Sequence, residues 1–170
     1  MNDVNYNIKY GEWASVFAQL QYCVENGLLL HGSRLSSIDV LRAGERPICA
    51  TDSPVLSMMY AIRPDETFLS PSDREIWAVE YLGQDPHDFR VRATKGFFKK
   101  TGSGSVYVVE PGQFRHGKAK FEYVSFSPVK PVARIDVVPS DLPCRIERLP
   151  RKLADYYRSE LDRQDAVLPW

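Results

Sequence analysis

The sequence is poor in the residues from which metal sites and disulfide frameworks are built. Its 170 residues include three cysteines and three histidines. Cys23, Cys49 and Cys144 are odd in number and far apart, which fits neither a disulfide framework nor the close pairs of a zinc site. His87 and His116 have no ligand partners at metal spacing. We therefore expect reduced, buried thiols and no metal.

The sequence also lacks an excess of charge and any long apolar run. Basic and acidic residues both number 22, so the zero net charge gives the whole chain no electrostatic attraction to nucleic acid. No apolar run approaches the roughly 18 residues that span a bilayer. Residues 1–5 are polar and lack the positive start and apolar segment of a secretory signal. We expect no membrane partner and a cytoplasmic location.

Internal repeats, low-complexity segments and a phosphate-binding P-loop are absent as well. The Gly-Ser-Gly sequence at 102–104 is not followed by the Gly-Lys-Ser/Thr and helix of a P-loop, so we expect a plain turn there. A chain of 170 residues fits one hydrophobic core. We therefore expect a single domain spanning residues 1–170.

The first third of the chain has mainly helical patterns. Apolar residues at spacings of three and four predict an amphipathic helix between Gly11 and Gly27, with Gly27 as its C-terminal cap. The apolar run at 28–30 predicts a buried strand that carries His31 at its end. Further elements expected here are a short helix from Ser36 or Ser37 through Leu41, a strand at 48–50 and a helix from Pro54 through Ala61.

Strand patterns dominate the remainder of the chain. Apolar residues alternate with polar or basic ones between proline- and glycine-bearing turns, which is typical of an antiparallel meander with one solvated face. The predicted strands are 76–82, 89–98, 105–109, 120–127 and 132–138, followed by a helix from Arg151 to about Gln164. Helices first and strands afterwards predict the α+β class.

Three short blocks carry the candidate chemistry. The first is His-Gly-Ser-Arg at 31–34, directly after the apolar run. The second is Thr-Asp at 51–52, followed by a helix with Ser57 and Tyr60 in the pattern Ser-x-x-Tyr. The third is Lys-Phe-Glu-Tyr-Val-Ser-Phe at 120–126. In this order the blocks resemble the motifs of the ADP-ribosyltransferase superfamily, in its poly(ADP-ribose)-polymerase-like branch.

The resemblance implies a role for each of six residues. The catalytic residues would be Glu122, His31 and Tyr60, and the NAD-binding residues His31, Gly32, Ser33, Ser57 and Tyr60. His31 would bond a ribose hydroxyl of NAD. The backbone of Gly32 would hold the nicotinamide amide, and the hydroxyl of Ser33 would support it. The tyrosine would stack on the nicotinamide ring. The glutamate would stabilise the oxocarbenium-like charge as nicotinamide leaves.

The resemblance also implies a fold and an activity. The fold would be ADP-ribosyltransferase-like, with split antiparallel β-sheets, flanking helices and an NAD cleft between the sheets. The activity would be cleavage of NAD and transfer of ADP-ribose to an acceptor, which could be a protein, a nucleic acid or a small molecule. Two positions depart from the family pattern: Pro47 replaces a usual glycine, and Cys49 a frequent aromatic residue that helps to wall the pocket.

Each block has an ordinary structural explanation when taken alone. His31 could be a hydrogen-bonded structural residue, Tyr60 a packed helix position beside Met59 and Leu56, and Glu122 a solvated strand residue. Two other functions stay open: a non-catalytic NAD-binding, ADP-ribose-binding or protein-interaction domain, and an enzyme similar to the RNA 2′-phosphotransferases. Phosphate-binding candidates for the latter are Arg34, Arg42, Arg46 and Arg63. Residues that could form a basic rim are Lys95, Lys99, Lys100, Arg115, Lys118 and Lys120.

Overall fold

The computed structural model describes residues 3–66, 69–85 and 87–167. The helices are α1 (Asp3–Tyr10), α2 (Val16–Glu25), α3 (Pro54–Ile62), α4 (Phe97–Lys100) and α5 (Arg151–Val167). The strands are β1 (Leu29–Ser33), β2 (Ile48–Thr51), β3 (Trp77–Tyr81), β4 (Phe89–Ala93), β5 (Gly104–Val109), β6 (Arg115–His116), β7 (Glu122–Ser125), β8 (Ala133–Val137) and β9 (Ile146–Arg148). These helices and two mostly antiparallel sheets confirm the predicted α+β class.

The chain divides into two compact units. Unit 1 comprises residues 1–62 and 102–143, and unit 2 comprises residues 63–101 and 144–170. The single domain expected from chain length stays a prediction. No helix in the described part of the chain is both long enough and apolar enough to cross a membrane.

Unit 1 is built on a six-stranded sheet in the order β6-β7-β2-β1-β5-β8. The predicted meander is wrong, because β1 and β2 lie at the centre and β5 returns to pair with β1. Alternating polarity shows which face of a strand is buried, but it does not identify the neighbouring strand. Pairing with β5 extends from Leu29 to Ser33. His31 therefore lies in the middle of β1 and not at its end.

One face of this sheet covers a buried apolar cluster. Its members are Leu29, Leu41, Ile48, Ala50, Tyr107, Val109 and Val129. The Tyr107 hydroxyl donates to the Leu35 carbonyl (2.6 Å) and accepts from the Ile38 amide (3.0 Å). The short helix predicted from Ser36 or Ser37 through Leu41 is wrong, because these long-range bonds take the place of helical ones. Leu41 instead bridges to Val129.

The helices of unit 1 follow local signals where those signals are strong. The predicted amphipathic helix is α2; the Ser15 side chain accepts from the Ala18 amide at its start, and Gly27 follows its end with φ +78°. α3 begins at Pro54, as predicted, and ends one residue beyond Ala61. α1 is not predicted by the sequence pattern, because its asparagines and tyrosines have low helix propensity.

The cysteines of the described chain form no disulfide, but they differ in exposure. Cys23 is buried, and burial raises the pKa of its thiol to about 12. The expectation that all three are buried is wrong for Cys49, which is exposed, and Cys144 is intermediate. Cys49 alternates with buried Ile48 and Ala50, so it lies on the opposite face of β2 from the apolar cluster.

Unit 2 contains a three-stranded sheet in the order β3-β4-β9. β3 and β4 are antiparallel, whereas β9 joins β4 in parallel. The strand predicted at 89–98 ends at Ala93, because the chain turns at Gly96 and enters α4. The first turns of α5 cover this unit through a small cluster of Ile76, Leu149 and Ala154.

Two glutamates, Glu66 buried and Glu75 partly exposed, share one lysine at the start of unit 2. Lys100 Nζ contacts Glu66 Oε1 at 3.0 Å and Glu75 Oε1 at 3.1 Å. Thr94 Oγ1 donates to Glu75 Oε2. Burial works to raise the pKa of Glu75, but the hydrogen bonds from Thr94 and Lys100 outweigh it, so the pKa lies below its usual value.

Glu75→Gln is expected to destabilise the protein more at neutral pH than in acid. Because folding lowers the Glu75 pKa below its usual value, the ionised carboxylate stabilises the folded state at any pH above that usual value. The stabilisation is lost as the pH falls through the lower, folded-state value. Urea unfolding of wild type and variant between pH 7 and about pH 3 measures this difference. The control is Glu110→Gln, at an exposed position. The expectation is contradicted if the difference in unfolding free energy between wild type and Glu75→Gln does not shrink in acid.

Candidate functional site

The candidate site is centred on a split in the sheet of unit 1. β1 and β2 pair only at Leu30 and Thr51. By contrast, β1 pairs with β5 at all five of its residues, and β2 pairs with β7 at all four. Beyond the Leu30–Thr51 pair the two central strands therefore separate, and the edge of β1 from residue 31 onward is not paired with β2.

His31 lies at the beginning of this split. Its Nδ1 is 2.7 Å from the backbone carbonyl oxygen of Cys49 on β2. A carbonyl only accepts hydrogen bonds, so Nδ1 carries a proton, and in the neutral form of the ring Nε2 is the acceptor. The Tyr107 ring, on the neighbouring strand, has its centroid 6.4 Å from that of His31. The imidazole is thus oriented by groups on both sides of β1.

Gly32 brings β1 into close contact with α3. A Cβ atom at this position would overlap the Ser57 carbonyl oxygen and lie 2.8 Å from Tyr60 Cβ. A side chain does not fit there, so glycine is what allows helix and strand to approach. The contact places the Ser-x-x-Tyr block directly beside the His-Gly block, as the resemblance implies.

Tyr60 is the exposed position of an otherwise covered helix. Seven of the nine α3 residues are buried. Tyr60 is 40% exposed. A tyrosine that served only as core packing with Met59 and Leu56 would be buried. Its exposure next to Gly32 instead offers an aromatic surface to a ligand.

The two serines of the predicted NAD-binding set are engaged within the protein. Ser57 is fully buried, and its hydroxyl donates to the Pro54 carbonyl at 2.7 Å. Ser33 Oγ accepts from the Leu35 amide at 3.1 Å. A ligand contact by the Ser57 hydroxyl therefore requires that its bond to Pro54 be exchanged.

Glu122 begins β7 on the other side of the split. It stands opposite Thr51, which in turn stands opposite Leu30, so the three positions form one row across the sheet. Glu122 Oε2 accepts from the amides of Lys118 (3.1 Å) and Ala119 (3.2 Å). The carboxylate is thus not simply solvated, because it also holds the turn between β6 and β7.

Cys49 connects the two sides of the site. Its carbonyl accepts from His31, and its side chain lies near the Glu122 carboxylate. Partial burial of the sulfur raises the pKa of the Cys49 thiol, the nearby Glu122 raises it further, and Arg46 works to lower it. His31 and Glu122 therefore approach the same residue of β2 from different neighbouring strands.

Strand alternation places the side chains of His31 and Glu122 on different faces of the sheet. Leu30 and Gly32 face α3, whereas His31 and Leu29 face the apolar cluster. Glu122 shares the face of its row partner Leu30. Contact of one molecule with both His31 and Glu122 therefore requires that it reach through the unpaired edge between β1 and β2.

The backbone partners that orient His31 and Glu122 could not be predicted from the sequence. The Cys49 carbonyl and the amides of residues 118 and 119 leave no mark in a side-chain pattern. Gly117 is the one sequence signal, since a Cβ there would lie 2.7 Å from Glu122 Cγ. A hydrogen bond from the Tyr123 hydroxyl to Asp52 Oδ2 at 3.1 Å, next to the site, was also not predicted.

A groove of about 440 Å³ in unit 1 has none of the predicted site residues in its lining, although it includes Tyr107, the neighbour of His31. It is lined by Lys9, Ser37, Ile38, Asp39, Tyr107, Lys130, Pro131, Val132, Ala133 and Arg134. Residues 3–66, 69–85 and 87–167 contain no group of three or more His, Cys, Asp or Glu side chains arranged to hold a metal ion. Comparison with protein-family models, curated proteins and solved structures finds no match for this chain.

Proposed function

We propose that the chain is an NAD-dependent ADP-ribosyltransferase whose NAD cleft is the split between β1 and β2. The carrying observation is the contact of Gly32 with Ser57 and Tyr60 at this split. Three sequence blocks that resemble one family's motifs are distant in the chain, and the fold brings their backbones to neighbouring positions. In this proposal the split divides the large sheet into the two halves of an ADP-ribosyltransferase-like fold.

The residues at the split suit the parts of NAD that the reaction uses. Nε2 of His31 can accept a hydrogen bond from a ribose hydroxyl, because Nδ1 is committed to the Cys49 carbonyl. The Gly32 backbone lies on the part of β1 that β2 leaves unpaired, where a carboxamide can bond to peptide groups. The exposed Tyr60 ring can stack on the nicotinamide.

Glu122 supplies the charge that the reaction needs. When the bond between the ribose anomeric carbon and the nicotinamide nitrogen breaks, nicotinamide leaves with the bonding electrons and positive charge grows on the sugar. A carboxylate already held in place by backbone amides stabilises that charge more in the transition state than in the ground state. An acceptor oxygen or nitrogen then bonds to the anomeric carbon and loses its proton.

Release of nicotinamide from labelled NAD by the purified chain tests this proposal. Label on the adenylate part shows whether ADP-ribose reaches protein or nucleic acid, since protease and nuclease remove it selectively. NAD binding without release under any acceptor condition would favour a non-catalytic domain. Failure of millimolar NAD to raise the melting temperature would favour an interaction domain. Loss of the 2′-phosphate from 2′-phosphorylated RNA in the presence of NAD would instead indicate a phosphotransferase.

Tyr60→Leu is expected to weaken NAD binding about 2- to 12-fold, whereas Tyr60→Phe keeps the wild-type affinity. The range converts the roughly 0.5–1.5 kcal/mol of an aromatic pair into a ratio of dissociation constants. Leucine removes the ring but keeps an apolar side chain, and the exposed position spares the core. Calorimetric titration with NAD measures both variants. Equal affinity of the leucine and phenylalanine variants would exclude stacking by Tyr60.

A further inference from the structure

Unit 2 contains a groove that the proposed NAD site does not use. It has a volume of about 270 Å³ and is lined by Ala93, Lys95, Phe98, Arg145, Ile146 and Arg148. Ala93 and Ile146 are buried and form an apolar floor. Three of the six lining residues are cationic, in a chain whose net charge is zero. This positive charge is therefore local to the groove.

Strand alternation on β9 separates Arg148 from the acidic Glu147. Glu147 lies opposite Arg92 on β4 and forms an ion pair with it, with Glu147 Oε2 at 3.5 Å from Arg92 Nε. Arg148, one residue later, has its side chain on the other face, opposite Ala93. Among the residues that the structure describes, no carboxylate pairs with Lys95, Arg145 or Arg148. Their charge is thus available to an anion from outside the chain.

Phe98 adds an aromatic surface to the groove. The ring is 52% exposed, although the preceding Phe97 is fully buried. The two rings meet edge to face with centroids 6.3 Å apart, so Phe97 supports Phe98 from below. Phe98 is the second residue of α4, and about half of this large apolar side chain stays open to solvent.

We propose that this groove binds single-stranded nucleic acid, with Arg145, Arg148 and Lys95 on the phosphates and Phe98 stacked on a base. Unpaired cations beside an exposed ring are the combination with which proteins hold unpaired strands, because the cations follow the backbone while the ring contacts a base face. A duplex hides those base faces within its stack. The proposal involves only unit 2 residues and is independent of NAD chemistry.

Fluorescence anisotropy with a labelled 12-nucleotide single strand tests the phosphate contacts. For Arg145→Gln combined with Arg148→Gln, we expect affinity to fall about tenfold or more at low salt. The slope of log K against log salt should become shallower by about 1.4, since each lost phosphate contact on a single strand removes about 0.7. The matched control is Arg151→Gln with Lys152→Gln, which removes the same charge from exposed positions of α5 outside the groove lining. Equal losses for the two pairs would overturn the proposal.

Phe98 is tested with a strand that keeps its phosphates but has no bases. Phe98→Ala should weaken binding of the normal strand by about 5- to 100-fold, and Phe98→Trp should restore it. Binding of an abasic strand should not respond to Phe98→Ala. DNA and RNA versions of the normal strand show which sugar the groove prefers. Polyglutamate tests whether the groove instead binds an acidic protein. The proposal is overturned if polyglutamate binds as tightly as the strand and its binding depends on the same arginines but not on Phe98.

Discussion

Glu122→Gln is expected to lower the rate of nicotinamide release about 100- to 1,000-fold, while NAD affinity stays within about threefold of wild type. Removing one preorganised electrostatic group from an active site typically costs this much in rate. The loss should appear in kcat and in kcat/KM alike, because the charge acts on the transition state and not on bound NAD. Steady-state release assays combined with calorimetric titration separate the two quantities.

Glutamine is the informative replacement because Glu122 also has a structural task. Both turn amides donate to the same atom, Oε2, and the amide oxygen of glutamine can accept from the same two donors. The variant thus keeps the turn between β6 and β7 and loses only the charge. Glu122→Ala would remove both, so a slow alanine variant alone would not identify a catalytic carboxylate.

Glu110→Gln in the same unit is the matched control. Glu110 is exposed, and its change to glutamine removes the same charge from unit 1. If Glu110→Gln releases nicotinamide at the wild-type rate and Glu122→Gln does not, the loss of activity is due to the change at position 122. If Glu122→Gln releases nicotinamide at the wild-type rate while its circular dichroism and melting temperature are unchanged, Glu122 has no part in the chemistry.

Local structure was predictable where a single stretch of sequence contains both the pattern and its stop signal. α2 has its serine cap and its terminal glycine within a few residues. α3 starts at Pro54 and was expected from that residue. β2 and β5 also coincide with predicted strands to within a residue. In each case the determinants of the element are neighbours in the sequence.

The strand order and the segment 35–41 were not predictable in this way. β1 pairs with β5 across 72 to 80 residues of sequence, from Ser33 with Ser105 to Leu29 with Val109. Segment 35–41 is shaped by the Tyr107 hydroxyl and by an arginine side chain from β8, Arg134, which donates to the Ser36 carbonyl. Propensity alone favoured a helix there, and tertiary hydrogen bonds overrode it.

The candidate site was partly predictable from the sequence, because some of its residues also give local signals. Motif order identified which side chains to examine, and glycine at position 32 marked a close approach before its partner was known. The backbone groups that orient His31 and Glu122 were not accessible, since any residue supplies a carbonyl or an amide. The engagement of Ser57 with Pro54 was equally hidden, because a hydroxyl on a helix pairs with whichever carbonyl lies nearest.

Gly32→Ala is expected to destabilise the protein by roughly 2–3 kcal/mol, which lowers its melting temperature by about 5–10 °C. A Cβ at position 32 would overlap the Ser57 carbonyl oxygen and lie 2.8 Å from Tyr60 Cβ. Backbone atoms cannot move aside as a flexible side chain can, so α3 must shift away from β1. Gly44→Ala is the control for the loss of glycine, because a Cβ at position 44 meets nothing within 4 Å. We expect its melting temperature to stay within about 2 °C of wild type.

Gly104→Ala separates loss of stability from loss of the site. A Cβ at position 104 would lie 2.7 Å from the carbonyl carbon of Ala61 and 2.7 Å from the Ser33 carbonyl oxygen, so this variant also forces α3 away from the sheet. The strain falls on the backbone of Ala61 and Ser33, whereas a Cβ at position 32 meets Tyr60 directly. At a temperature where both variants are folded, we expect Gly104→Ala to bind NAD within about threefold of wild type. Gly32→Ala should bind at least about tenfold more weakly, because its Cβ displaces Tyr60 itself. Equal losses in the two variants would mean that the contact between Gly32 and α3 serves folding alone.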